Sequence, residues 1–430
     1  MNLPLTAEIN NSGRLMIGGC DTADLVKEFG TPLYVLDEKD IRETCRAYRS
    51  LFKSKYPNSD VVYASKALSA TGLLKIISEE GLGVDVSSGG ELYTALRAGF
   101  TPKKIYFHGN NKSRQEIEEG LSASVGRFVV DNFDELKILD ELTIKTGKMT
   151  HVLIRVNPGV EAHTHEAVKT GQTDSKFGIA KSRVLEAVSL VSAMRNVKFA
   201  GLHAHIGSQI FDTKGFLAEI DVLIDIAKQV HEKLKIEVEE LNIGGGIGIA
   251  YVKGDSPLKL EEFAEAVTRR IKEKIAGYKL PQPKLVIEPG RSIVGRAGVT
   301  LYTIGHIKDI SGVRKYVIID GGMSDNIRPM LYGAKYEFVS ADNMKAKRIE
   351  KYTVAGRFCE SGDVMAKDVE LPRLEKGGLL AVLCTGAYNY SMASSYNRVP
   401  RPAMVLVNDG GARLIVRRET YEDLTRNDIA

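Results

Sequence analysis

Hydrophobic and polar residues follow two rhythms along this chain, and the change of rhythm divides it. From residue 61 to about 290, short apolar runs rich in Val, Ile, Tyr and Phe recur, as extended segments do. They are VVYAS (61–65), GVDVSS (83–88), KIYFHG (104–109), RFVVD (127–131), HVLIRVN (151–157), FAGLHAHIG (199–207), ELNIGGG (240–246) and KLVIEPG (284–290). Between them lie stretches such as GELYTALRAGF, FDELKILDELTIKTG and EEFAEAVTRRIKEKI, with apolar positions at helical spacing. Eight strands alternating with helices predict a (β/α)8 TIM barrel; an open doubly wound sheet is the alternative, but it rarely needs eight units.

After residue 296 the helical spacing fades. VTLYTIGHI, RKYVIIDGG, RIEKYTVAG, GGLLAVLCTG and AMVLVNDGGARLIVRR are strand-like, and the last holds Asn408-Asp409-Gly410, a hairpin signal. These predict a second, mainly β domain over 291–430. The strand-like RLMIGG and PLYVLD near the N-terminus are expected to join it, so that 1–37 and 291–430 form the β domain and 38–290 the barrel.

Composition adds mostly exclusions. A chain of 430 residues exceeds one typical domain, and 43% hydrophobic residues can fill two cores. Its 59 basic and 55 acidic residues nearly balance, which argues against a nucleic-acid partner. Cys20, Cys45, Cys359 and Cys384 form no CxxC or zinc-like spacing, so no metal site is expected and a reducing compartment suits them. MNLPLTAEIN lacks the basic and apolar regions of a signal peptide, and no apolar run is long enough to cross a bilayer. A cytoplasmic protein with no membrane partner is the expectation.

Chemistry in a barrel of this kind gathers at the C-terminal ends of the strands, and polar residues fall there. Lys66 ends the first; Asp85, Ser87 and Ser88 end the second; His108 and Asn110 the third; Asp131 the fourth; Arg155 and Asn157 the fifth. The sixth runs into His203, His205 and Ser208, the seventh into Gly244-Gly245-Gly246, and the eighth into Glu288, Gly290 and Arg291. Any one of these has a bland explanation: lysines snorkel, histidines are satisfied in cores, and glycines turn. Together they line one rim. A partly desolvated Lys66 could form a Schiff base with a carbonyl, and amides of the glycine run could cradle a phosphate. A lysine and a phosphate site on one rim suggest pyridoxal 5'-phosphate. Glu288 would then keep the pyridine nitrogen protonated, His205 would stack on the ring and Ser208 would donate to the phosphate.

The motifs YASKA, HAHIGSQI, NIGGGIG, EPGRSIVG, CESGD and GAYNYSMASSYN together resemble the fold-type III pyridoxal-phosphate decarboxylases. GVEAHTHEAVKTGQTDSKFG (159–178) and DGGMSDNIRPMLYGA (320–334) narrow the resemblance further. It implies an alanine-racemase-like barrel with a β domain, in a homodimer whose active sites are shared between subunits. The implied reaction removes CO2 from meso-2,6-diaminopimelate and leaves L-lysine. Lys66 would be the Schiff-base lysine, with Gly245, Gly246, Glu288, Gly290 and Arg291 holding the cofactor. Arg291, Arg328 and Tyr332 would bind a substrate carboxylate, and Tyr388 would touch both cofactor and substrate. Cys359, as proton donor, and Glu360, as substrate ligand, would reach into the partner subunit's site.

Rival readings differ in charge. Ornithine or arginine ends in a cation and wants an acidic distal pocket, which Arg328 and Tyr332 do not offer; carboxynorspermidine is not excluded by charge. An alanine racemase sets an arginine at the pyridine nitrogen, where this chain has Glu288. A non-catalytic regulatory protein on the same scaffold would have no need of Lys66, Glu288 and Cys359.

Overall fold

All eight apolar runs form strands, each stopping within or just before the polar residues that end it. The computed structural model describes residues 1–160 and 174–429. It divides into a unit of Cys45–Gly248 with Ser256–Gly290, and a unit of Met1–Thr44, Ile249–Asp255 and Arg291–Ala430. The first unit holds the barrel strands β1 (Ser59–Ala64), β2 (Gly83–Val86), β3 (Ile105–Phe107), β4 (Arg127–Val130), β5 (Thr150–Asn157), β6 (Val197–His203), β7 (Glu240–Asn242) and β8 (Lys284–Ile287). Neighbours pair in parallel around the ring, and β8 pairs with β1 to close it. A short strand, Ile179–Ala180, adds to β5.

Buried hydrophobic residues cluster where the strands meet: Val62, Tyr106, Val129, Leu153, Ala200 and Val286 come from six strands and form one layer. Helices follow the strands, and several of the polar residues at strand ends prove to be their caps. Ser88 accepts from the Glu91 amide and Asn132 from the Glu135 amide, while Ser113 and Glu116 form a capping box. Ser88 therefore has a structural task in its helix, which accounts for its place on the rim.

Lys112 shows how the rim is made rigid. Its ammonium is buried and pairs with Glu135 at 2.7 Å, donating also to the carbonyls of Gly109 and Val129. A buried charge with all its donors used ties the loop after β3 to β4 and to the following helix.

The second unit is built on a sheet ordered Val364–Leu371, Glu350–Ala355, Arg314–Ile319, Gly298–Ile310, Leu33–Asp37, Ala403–Asn408, Gly411–Val416. Leu33–Asp37, from PLYVLD, lies inside this sheet, antiparallel to Gly298–Ile310 and parallel to Ala403–Asn408. RLMIGG also joins this unit, with Leu15 and Ile17 in its core, but outside the main sheet. Its Leu15–Ile17 strand pairs only with the short strands Glu8–Ile9 and Cys20–Asp21, in a separate three-stranded ribbon. The hairpin signal is where it was expected: Asn408 pairs with Gly411, leaving Asp409 and Gly410 as a two-residue turn with φ of 49° and 79°. No helix among the described residues is long and apolar enough to cross a membrane.

Gly201 tests the closeness of the barrel strands. A Cβ there would overlap the Glu240 carbonyl oxygen of β7, beside a register shift at Phe199/Gly201. Gly201→Ala should therefore cost about 1–3 kcal/mol of stability, as overpacking does. Urea unfolding checks this, and a midpoint equal to the parent's would show that β6 and β7 have room to part.

Candidate active site

In the barrel unit the rim is organised around one carboxylate. Glu288 follows β8 and is buried. Its Oε1 accepts from His108 Nε2 at 2.9 Å and from Asn242 Nδ2 at 2.8 Å, and its Oε2 from His203 Nε2 at 3.2 Å. An ionised carboxylate only accepts, so both imidazoles present Nε2–H to it. Burial works to raise the Glu288 carboxyl, but the two histidines outweigh it and hold the group well below the usual carboxylate range. His203 is itself held down to about 4 by burial, against the pull of Glu288, so it serves as a neutral donor at neutral pH. The three side chains have the composition of a metal site. They spend those atoms on one another.

Lys66 stands in the short helical turn Ser65–Ala67 directly after β1. The sequence left its ammonium exposed or partly desolvated; the side chain is exposed. It acts on two neighbours, the buried Asp85 and the half-buried His205, lowering both through its charge. Asp85 accepts from the Ser65 amide at 3.2 Å, and burial with the nearby Glu288 pushes its carboxyl well up. Burial, then Lys66 and Arg155, push the His205 imidazole well down, so it is neutral and able to stack on an aromatic cation. Arg155 is buried 3.7 Å from Asp131 and lies over the Phe177 ring.

The loop after β7 is a backbone cradle. Gly244 and Gly246 have φ of 63° and 120°, and a side chain at Gly246 would overlap the Gly207 carbonyl of the loop that carries Ser208. The Gly245 amide faces His205 Nδ1 at 3.4 Å, and a Cβ at Gly245 would overlap the Glu288 carbonyl. Gly290 is equally confined, since its Cβ would lie 2.8 Å from that of Ala64. A turn of close-packed amides, a neutral histidine and a buried carboxylate suit a flat, phosphate-bearing ring with a basic nitrogen. Pyridoxal 5'-phosphate fits these residues.

The β unit holds a second cluster. Arg291 and Arg328 are buried, and each guanidinium lies over the Tyr388 ring, at 4.8 Å and 5.5 Å. Arg328 also lies 5.5 Å from the Tyr332 ring centre. Tyr388 itself adopts φ of 65°, an uncommon conformation for a tyrosine, which marks its loop as specially held. Cys359 and Glu360 stand apart from this cluster's recorded contacts, both exposed on the loop after Glu350–Ala355. Exposure removes the inert-core explanation for the thiol. Asp363 anchors their loop: its two oxygens accept the Met323 amide at 2.8 Å and the Phe358 amide at 2.9 Å. One carboxylate thus joins the segment leading to Arg328 with the segment leading to Cys359.

Sequence reasoning placed His108 and His203 on the rim without a role, and it missed Asn242, Tyr251, Tyr336 and the task of Asp363. The position of Asn242, two residues before the glycine run, was the available signal. Of the motif at 159–178, residues 161–173 lie outside the described residues; Gly178 donates its amide to Asp131 at 3.0 Å.

Comparison with known proteins gives a consistent picture. The family described as "Pyridoxal-dependent decarboxylase, pyridoxal binding domain" matches residues 38–295. A diaminopimelate decarboxylase of Bacillus subtilis (strain 168) is 47% identical over 426 residues, 99% of this chain and 97% of that one. One from Mycobacterium tuberculosis is 42% identical over 97% of this chain and 95% of its own. Among solved structures, diaminopimelate decarboxylase from M. jannaschii in complex with L-lysine superposes with a TM-score of 0.92. It is 38% identical and covers 99% of this chain and 98% of that one.

The clamp on Glu288 has a pH signature. A folded-state pKa of about 4 for His203 against 6.5 unfolded means that unfolding takes up a proton between those values. Stability therefore rises with pH from about 4 to 6.5, by at most about 1.4 kcal/mol per pH unit from this group. His203→Gln keeps a donor but cannot titrate, so its slope over that window should be shallower by up to one proton. Denaturant melts across pH 4 to 7 read this directly; parallel slopes would mean that His203 is not buried neutral.

Proposed function

The chain belongs to the diaminopimelate decarboxylases within the pyridoxal-dependent decarboxylase family, and from that membership we propose roles for its site residues. The enzyme is a carboxy-lyase that converts meso-2,6-diaminopimelate to L-lysine and CO2 with pyridoxal 5'-phosphate. The observation that carries the assignment is the three-donor clamp on Glu288, on the same barrel rim as Lys66.

Lys66 would hold the cofactor covalently, and Gly245, Gly246, Ser208 and Gly290 would give its phosphate and ring a close-fitting bed. His205 would stack on the ring. The bound cofactor supplies an electron sink for the pair left behind when CO2 departs. Glu288 keeps a proton on the ring nitrogen, and its three N–H donors keep that carboxylate ionised and aimed. Arg291, Arg328 and Tyr332 would take the carboxylate at the far end of the substrate, so that the near α-carbon is presented to the ring. Arg291 and Tyr388 would contact the cofactor as well as the substrate.

The remaining roles require a second copy. We infer a homodimer in which Cys359 of one chain donates the proton that replaces CO2 at the α-carbon, and Glu360 binds the distal ammonium. Both are exposed at the surface of the single chain, on a loop fixed from beneath by Asp363. A cytoplasmic location suits four cysteines that form no disulfide.

Borohydride reduction of the holoenzyme should leave the cofactor's mass on the peptide that carries Lys66, and Lys66→Ala should lose turnover by orders of magnitude while folding normally. Label on any other lysine would sink the assignment.

Shared sites have their own test. Lys66→Ala and Glu360→Ala should each be nearly inactive. Random reassociation of equal amounts should restore about a quarter of the sites, since half the dimers are mixed and each has one site without a mutation. No recovery, with mixed dimers demonstrated by mass, would place Glu360 in its own subunit's site.

A further inference from the structure

Two tyrosines that the roles above leave unused hold the two arginines. Arg291 Nη1 donates to the Tyr251 hydroxyl at 2.6 Å, and Arg328 Nε donates to the Tyr336 hydroxyl at 2.9 Å. The two rings meet edge to face with centres 5.3 Å apart, and both tyrosines are buried. All four residues belong to the β unit.

A buried arginine is ordinarily balanced by a carboxylate. Arg328 is not: among the described residues no Asp or Glu pairs with it. Burial works to lower its pKa, and the phenols of Tyr336, Tyr251 and Tyr388 more than offset this. Burial holds the Tyr336 phenol above its ordinary range, so it stays neutral. A neutral oxygen acceptor fixes the guanidinium's orientation and leaves its full charge for an incoming anion. A carboxylate in the same place would fix it equally well and cancel that charge. Tyr251 offers more. A phenol oxygen that accepts from Arg291 still has its own hydrogen to give, and that hydrogen has no acceptor among the described residues.

We propose that Tyr251 and Tyr336 are specificity-determining residues of this pocket: Tyr336 orients Arg328 without neutralising it, Tyr251 positions Arg291, and together they select substrates with a distal carboxylate. This rests on the reading that the two arginines bind that carboxylate. Tyr336 acts through Arg328 as a positioning residue, while Tyr251 both positions Arg291 and donates to the carboxylate. Packing alone would predict another outcome, since the ring faces that stack on the guanidiniums survive loss of the hydroxyls.

Paired ligands separate these accounts. L-lysine carries a carboxylate beside one of its amines, and cadaverine is the same diamine chain without it. Binding of each to the holoenzyme is measured by calorimetry for the parent, Tyr251→Phe, Tyr336→Phe and Arg328→Ala, with thermal melts as the check on folding. Each phenylalanine variant should bind L-lysine about tenfold more weakly, as loss of one charge-assisted hydrogen bond does. Cadaverine should shift by less than twofold. Equal losses for both ligands, or no loss for either, would overturn the proposal. If Arg328→Ala also leaves L-lysine binding unchanged, the carboxylate reading itself has failed; if it weakens L-lysine while the phenylalanine variants do not, only the role of the phenols has failed. The two tyrosines are tested separately, so one variant that does not fold leaves the other to decide.

Discussion

The constraint on which the barrel's chemistry depends is a negative charge kept in a buried place. Glu288 holds it with three N–H donors, and those donors stand at or just after the ends of β3, β6 and β7. A carboxylate taken out of water loses several kcal/mol of solvation unless hydrogen bonds replace it. Here four strand ends converge on one group, so the same bonds that keep Glu288 ionised also fix the mouth of the barrel. The edge-to-face contact of His108 and His203, with ring centres 4.9 Å apart, holds the two donors in register. Stability and preorganisation are one device at this position.

The β unit solves the opposite problem by the same rule. Its arginines are positive and buried, and their recorded partners are phenol oxygens and aromatic faces. In the barrel a negative charge is supported by N–H donors; in the β unit positive charges are supported by phenol oxygens. At Arg328 the phenol oxygen supports the charge without cancelling it. A salt bridge would be the cheaper way to bury either, and would leave nothing to act on a ligand.

The sequence displayed the strands and the rim well, because β-branched runs and the polar residues that end them are local features. It displayed the networks badly. Lys66, Glu288 and the glycine run stand out as residue types in a pattern. By contrast, Asn242 gains its meaning only from a partner 46 positions away, and His108 from one 180 positions away. Tyr251 and Tyr336 read as ordinary aromatic residues until the fold sets their hydroxyls against guanidinium groups. Of the two readings the sequence left for Lys66, exposed or partly desolvated, the structure has the exposed one: a short helical turn after the strand carries it out of the apolar run. RLMIGG enters the β unit as expected, and Gly18 and Gly19, at φ of 59° and 78°, turn the chain back there into a small ribbon beside the main sheet.

Charge also decides between substrates where shape would not. An aliphatic chain of similar length ending in a lone ammonium would meet two buried guanidiniums, and like charges in a desolvated site repel by several kcal/mol. A chain ending in both carboxylate and ammonium meets attraction at the first and requires an acid for the second. The arginine cluster supplies no such acid at Arg328, and Glu360 is exposed on a different loop. The zwitterionic end of diaminopimelate thus asks for one cationic and one anionic wall. A single fold surface that buried both side by side would pair them with each other. In the homodimer proposed above, an acid on a second copy of the chain would let both walls keep their charge until the substrate arrives, which would give a physical reason for a shared site.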